Sequence, residues 1–126
     1  MTLNGENKGN VLVVDDDIRL RKLCTAFLQR EGYSVATAET AEQALEQVQV
    51  SPFDLVLTDL KMPGMSGQKL VSRLQQIQSD LLVIIMSGSL DPAEMVELAT
   101  GEMYEFLEKP FNMKELQDMV GKVLER

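Results

Sequence analysis

Val11-Leu12-Val13-Val14-Asp15-Asp16-Asp17 is the stretch that decides the fold. Four apolar residues in a row, three of them β-branched and none alternating with a polar one, suit a strand buried on both faces. Three aspartates then end the run abruptly. The same kind of run recurs at 53–58 (FDLVLT) and 81–86 (LLVIIM), and in weaker form at 33–38 and 104–107. Between these runs the apolar residues fall at helical spacing: Leu20, Leu23, Phe27 and Leu28; Ala41, Ala44, Leu45 and Val48; Leu70, Val71, Leu74 and Ile77. Residues 92–100 open on a proline, as helices tolerate, and 113–124 carry Leu116, Met119, Val120, Val123 and Leu124 on one face. Strand and helix thus alternate five times, the pattern of a doubly wound α/β domain with a parallel sheet and helices on both faces.

Composition narrows the chemistry. At 126 residues with 44% apolar content the chain is the size of one globular domain. No apolar run approaches the roughly 20 residues that span a bilayer. The polar start of the chain lacks a secretory signal and reads as a flexible tail over residues 1–9, followed by one domain over 10–126; the expected location is cytoplasmic. The formal net charge of −8 repels nucleic-acid phosphates and anionic membranes, so partners are expected to be proteins. There is no histidine, which removes Ser-His and Cys-His catalysis and the commonest zinc ligand. The single cysteine, Cys24, lies among Leu23, Phe27 and Leu28 and reads as a small core residue. Chemistry must therefore rest on carboxylates, hydroxyls and lysines.

In an open parallel sheet, ligands bind beyond the carboxyl ends of the strands, where strand order reverses. Asp15, Asp16 and Asp17 follow the first strand and Asp59 follows the third, so neighbouring loops bring carboxylates to one edge. Their repulsion needs a cation to offset it, and hard oxygen donors without His or Cys favour Mg²⁺. Asp17 has a plainer reading, as the cap of the helix over 18–30. Ser87 ends the fourth strand in MSGS and Lys109 ends the fifth in LEKP, adding a hydroxyl and an ammonium to the same edge. Taken singly, a serine before glycine is a turn residue and a lysine is a solvated one. Together with the aspartates they make a constellation shaped for phosphate.

VLVVDDD, LVLTDLKMPGMSG, VIIMSGS and FLEKPF resemble the receiver domains of response regulators in two-component systems, of the chemotaxis-regulator-like kind. The resemblance runs over about 11–124. Its spacing matches too: Asp16 and Asp59 lie 43 positions apart, Asp59 and Ser87 28, Ser87 and Lys109 22. The resemblance implies a (βα)5, flavodoxin-like fold with strand order 2-1-3-4-5. It implies Asp59 as phosphoryl acceptor, Asp15 and Asp16 as the acidic pair holding Mg²⁺, with Asp16 as direct ligand, and the backbone carbonyl of Lys61 completing the set with Asp59. Ser87 matches the switch hydroxyl, Phe106 the switch aromatic, and Lys109 the active-site lysine, with a cis peptide at Lys109-Pro110. The implied activity is Mg²⁺-dependent self-phosphorylation from a phosphohistidine donor and slow hydrolysis of the acyl phosphate. The implied partners are a sensor histidine kinase or phosphotransfer protein and a downstream protein or fused output domain.

On this reading phosphate at Asp59 draws the Ser87 hydroxyl inward and Phe106 fills the vacated space. The surface made by 92–100, 104–107 and 113–124 then changes for signalling, and phosphorylation-dependent dimerisation through it is one outcome the family raises. Phe106 as a plain buried strand aromatic stands beside this reading. Met62 and Met65 are expected to pack rather than ligate, and Pro63, Gly64 and Gly67 to shape the turn into the third helix. One departure from the family pattern is Ala99-Thr100-Gly101-Glu102-Met103, with its glycine one place early and a methionine where a small residue is common; it predicts an altered or mobile fourth helix. Three alternatives compete. A pseudo-receiver would bind protein without being phosphorylated. A haloacid-dehalogenase-type hydrolase shares the D-x-D spacing, yet Arg19 stands where that family has Thr or Val. A flavodoxin-like electron carrier needs a hydroxyl and glycine loop after the first strand, where aspartates stand here.

Overall fold

The structure, a computed structural model, describes residues 7–60, 64–88 and 104–124. The predicted helix at 92–100, the departure at 99–103, Lys61, Met62 and Pro63, and residues 1–6 of the anticipated tail lie outside them.

Five strands, β1 (Asn10–Val14), β2 (Ser34–Ala38), β3 (Leu55–Asp59), β4 (Leu82–Ser87) and β5 (Tyr104–Glu108), form one parallel sheet in the order β2-β1-β3-β4-β5. Helices α1 (Ile18–Arg30), α2 (Ala41–Val50), α3 (Gly67–Ile77) and α4 (Met113–Leu124) connect and cover it. The expected fold class and strand order are those observed.

The apolar runs are continuous because successive side chains serve opposite faces. Val11, Val13, Leu55, Leu57, Ile84 and Met86 pack with Cys24 and Leu28 of α1 and with Leu116, Val120 and Val123 of α4. Leu12, Val14 and Val56 pack on the other face with Ala41, Ala44 and Val48 of α2 and Leu70 and Leu74 of α3. A smaller group on β3–β5 joins Leu60, Val71, Val83 and Ile85, with Phe106 against it. Met65 packs against the α2–α3 face, as expected of it. Cys24 is fully buried, and that burial pushes its thiol up to about 11.

Side-chain caps set the helix starts. Asp17 accepts from the Arg19 N–H at 2.9 Å, Thr40 from Gln43 and Ser66 from Lys69, each at 3.2 Å. Asn112 and Glu115 exchange reciprocal bonds at the start of α4, a capping box. Asp17 is thus the cap that the sequence suggested.

Some local expectations need correction. The third strand starts at Leu55 rather than Phe53, because the Gln78 side chain takes both backbone groups of Phe53: its amide donates to the carbonyl at 2.6 Å and its oxygen accepts from the N–H at 3.3 Å. On α1 the buried face is Arg21, Cys24 and Leu28, while Leu23 is 53% exposed. Among the described residues no helix is long and apolar enough to cross a membrane.

Candidate functional site

The register of the sheet brings the singled-out residues to one edge. Val14 lies opposite Ala38 and Thr58, so the residues after it, Asp15 and Asp16, emerge beside the end of β3, whose last residue is Asp59. Asp59 lies opposite Met86, which places Ser87 one step beyond it at the end of β4. Ser87 lies opposite Glu108, and the next residue is Lys109. The Lys109 N–H donates to the Ser87 carbonyl at 2.7 Å, and the Lys109–Pro110 peptide is cis.

Carboxylate oxygens of Asp15, Asp16 and Asp59 all lie within 4.8 Å of one another. Asp15 is fully buried, Asp59 half-buried and Asp16 exposed. Among the described residues one ammonium stands in this cluster: Lys109 Nζ is 3.3 Å from Asp15 Oδ2 and 3.4 Å from Asp59 Oδ2. Ser87 is buried beside them.

Burial is the largest influence on Asp15 and raises its pKa; the Asp17 N–H, which donates to Oδ1 at 2.8 Å, and the Lys109 charge pull it back without offsetting that cost. Burial works the other way on Lys109, but the charges of Asp15 and Asp59 outweigh it and hold the ammonium above the ordinary lysine value. Among the described residues, one cation thus faces three carboxylates. A divalent cation with hard-oxygen preference fits this donor set, three carboxylates with neither His nor Cys among them.

Two further residues build the edge. Gly67 opens α3 against Leu60: its N–H donates to the Leu60 carbonyl at 2.9 Å, and a Cβ there would fall 2.7 Å from that oxygen. Only a glycine lets α3 approach the residue after Asp59 so closely. Sequence reading had marked Gly67 for its turn shape and missed this contact. It missed Arg21 altogether. Arg21 is buried on α1, and its Nη1 donates to the Asp15 carbonyl at 2.8 Å. The signal was present as the spacing Arg21-Cys24-Leu28, which puts a cation on the apolar stripe.

Of the singled-out residues, Asp15, Asp16, Asp59, Ser87 and Lys109 gather at this edge. Phe106, half-buried on β5, lies opposite Ile85, away from the carboxylates and against the smaller core group. Lys61 falls outside the described residues.

Comparison with known proteins agrees with this arrangement. The family model of the response regulator receiver domain matches residues 11–121. Sporulation initiation phosphotransferase F of Bacillus subtilis is 39% identical over 117 residues, covering 90% of this chain and 92% of that protein. The DNA-binding transcriptional regulator NtrC of Azospirillum brasilense is 36% identical over 114 residues, covering 90% of this chain but 24% of its own length. The chain spans about a quarter of the length of several such curated relatives. A solved structure of the response regulator TrrA from Thermotoga maritima, in complex with Mg²⁺-BeF, superposes with a TM-score of 0.80 at 32% identity, covering 90% of this chain and 97% of that one. Receiver domains bind Mg²⁺ at an acidic pocket of the kind seen here. The chain belongs to the response regulator receiver domain family of two-component systems.

Proposed function

We propose that this receiver domain takes a phosphoryl group onto Asp59 from a phosphohistidine on a sensor kinase or phosphotransfer protein, with Mg²⁺ held by Asp15, Asp16, Asp59 and the Lys61 carbonyl. The observation that carries the reading is the gathering of three carboxylates within 4.8 Å of one another, two of them paired with the Lys109 ammonium.

A carboxylate oxygen of Asp59 attacks phosphorus, the phosphorus–nitrogen bond to the donor imidazole breaks, and the nitrogen leaves with its electron pair and takes up a proton. Such transfer asks the protein mainly for positioning and charge neutralisation. Bound Mg²⁺ would supply a second cation against the phosphoryl oxygens. Lys109 screens the charge of Asp59 as the anionic donor approaches, and Ser87 offers a hydroxyl to a phosphoryl oxygen. Water later hydrolyses the acyl phosphate, returning the carboxylate and releasing phosphate.

The signalling step is a packing change. Ser87 drawn toward the phosphoryl group would leave space for Phe106 to enter; the packing of Phe106 against the group of Val71, Val83 and Ile85 supports this reading. The surface of β5 and α4 then alters for a downstream protein or fused output domain, with dimerisation as one use of it. A cytoplasmic setting is consistent with the family.

Intact mass after incubation with Mg²⁺ and acetyl phosphate tests the reading. A phosphoryl-sized gain, absent with a chelator and in Asp59→Asn, is expected. No gain, together with no Mg²⁺ binding, would point to a pseudo-receiver instead.

A further inference from the structure

Arg21 is the one cation among the buried residues of α1. Burying a guanidinium costs desolvation that an apolar residue of similar volume would not incur, so its contacts indicate what the charge is there for. Nη1 donates to the Asp15 carbonyl at 2.8 Å in a buried setting, and Nη2 stands 3.6 Å from the carboxylate of Glu39, which is largely exposed.

The acceptor matters. The Asp15 N–H donates to the Ala38 carbonyl at 3.2 Å, so the backbone of Asp15 is gripped by β2 on one side and by Arg21 on the other. Its carboxylate is held separately, by the Asp17 N–H on Oδ1 and Lys109 on Oδ2. Among the described residues Asp16 has no comparable anchor: its direction follows from the Asp15–Asp16 peptide, whose carbonyl is the atom Arg21 holds.

We infer that Arg21 is a positioning residue for the metal site, fixing the Asp15–Asp16 peptide plane so that both carboxylates meet the cation in one geometry. The inference rests on the reading of the acidic edge as a Mg²⁺ site. Mg²⁺ tolerates little departure from octahedral geometry, and groups that orient its ligands typically govern affinity about tenfold or more. Glu39 has the lesser part of keeping the guanidinium aimed at the carbonyl.

The test is Mg²⁺ titration by calorimetry of the unsubstituted chain, Arg21→Met and Arg21→Lys, all well below their unfolding temperatures. Arg21→Met is expected to raise the dissociation constant about tenfold. Arg21→Lys, which keeps a cationic donor, should stay within about threefold. The Mg²⁺ concentration giving half-maximal phosphorylation should move in parallel, while the rate at saturating Mg²⁺ changes little. If Arg21→Met does not fold, Arg21→Gln, which keeps a polar group in the slot but falls short of the carbonyl, is read in the same way. Affinity equal to or tighter than that of the unsubstituted chain in the Met variant would overturn the inference, since loss of a nearby cation alone favours Mg²⁺. If the unsubstituted chain itself binds no Mg²⁺, the reading of the site fails and the inference with it.

Discussion

Both edges of the sheet carry aspartates, and they are used in opposite ways. At the amino edge, Asp54 Oδ2 accepts from the Asn10 N–H at 2.7 Å, while the Asp54 N–H donates to the Asn10 carbonyl at 2.8 Å. Its carbonyl also accepts from Leu82, so one exposed residue ties the starts of β1, β3 and β4. At the carboxyl edge, Asp15, Asp16 and Asp59 crowd together, and among the described residues one ammonium, Lys109, pairs with two of them. A carboxylate satisfied by backbone N–H groups serves architecture; carboxylates pressed together with too little positive charge serve a ligand.

Four substitutions would break or sharpen this contrast. The largest effect is expected from Asp59→Asn, which should abolish phosphoryl uptake in an intact-mass assay, whereas Asp54→Asn should leave it unchanged. Equal loss from both would erase the distinction between the edges. Next comes Gly67→Ala. With Leu60 backbone atoms 2.7 and 2.8 Å from the new Cβ, α3 must shift, and urea unfolding should show a loss of about 2 kcal/mol. Phosphorylation should slow as well, because Leu60 is bonded to Asp59.

A smaller effect of opposite sign is expected at Asp15. Burial lifts its carboxyl above the ordinary 3.8, so the folded chain holds that proton more tightly than the unfolded chain does. The resulting stability is full below the unfolded value and is lost as pH rises through the folded one. Asp15→Asn, with no charge to desolvate, should therefore melt higher at neutral pH in chelator, by about 1 kcal/mol or roughly 4 °C. The gap should close as pH falls through the raised Asp15 value, where the carboxyl is protonated in the folded chain. The same substitution should weaken Mg²⁺ binding. Smallest is Asp54→Asn, which keeps an acceptor for Asn10 and should cost only about 0.5 kcal/mol in thermal unfolding.

Much of this was legible in the sequence for a physical reason. A strand covered on both faces has to be apolar throughout, so VLVV, LVL and LVIIM declare a parallel sheet, and the sheet fixes which edge receives Asp15, Asp59, Ser87 and Lys109. What escaped depends on contacts between distant segments. Leu23 has the spacing of a core residue yet is exposed, because Arg21 and Cys24 turn the helix so that the cation reaches the Asp15 carbonyl. The Gln78 side chain shortens β3 by bonding Phe53, 25 positions away, and no local propensity carries that information. Gly67 looked like a turn residue; its closeness to Leu60 exists only in three dimensions.

The most direct test of the central claim is to locate the phosphoryl group. After phosphorylation with Mg²⁺ and a small phosphodonor, borohydride reduces an aspartyl phosphate to homoserine, and peptide mass spectrometry finds the altered residue. Conversion at Asp59 alone is the predicted result. Conversion at Asp15, Asp16 or Asp54, or spread over several aspartates, would contradict it.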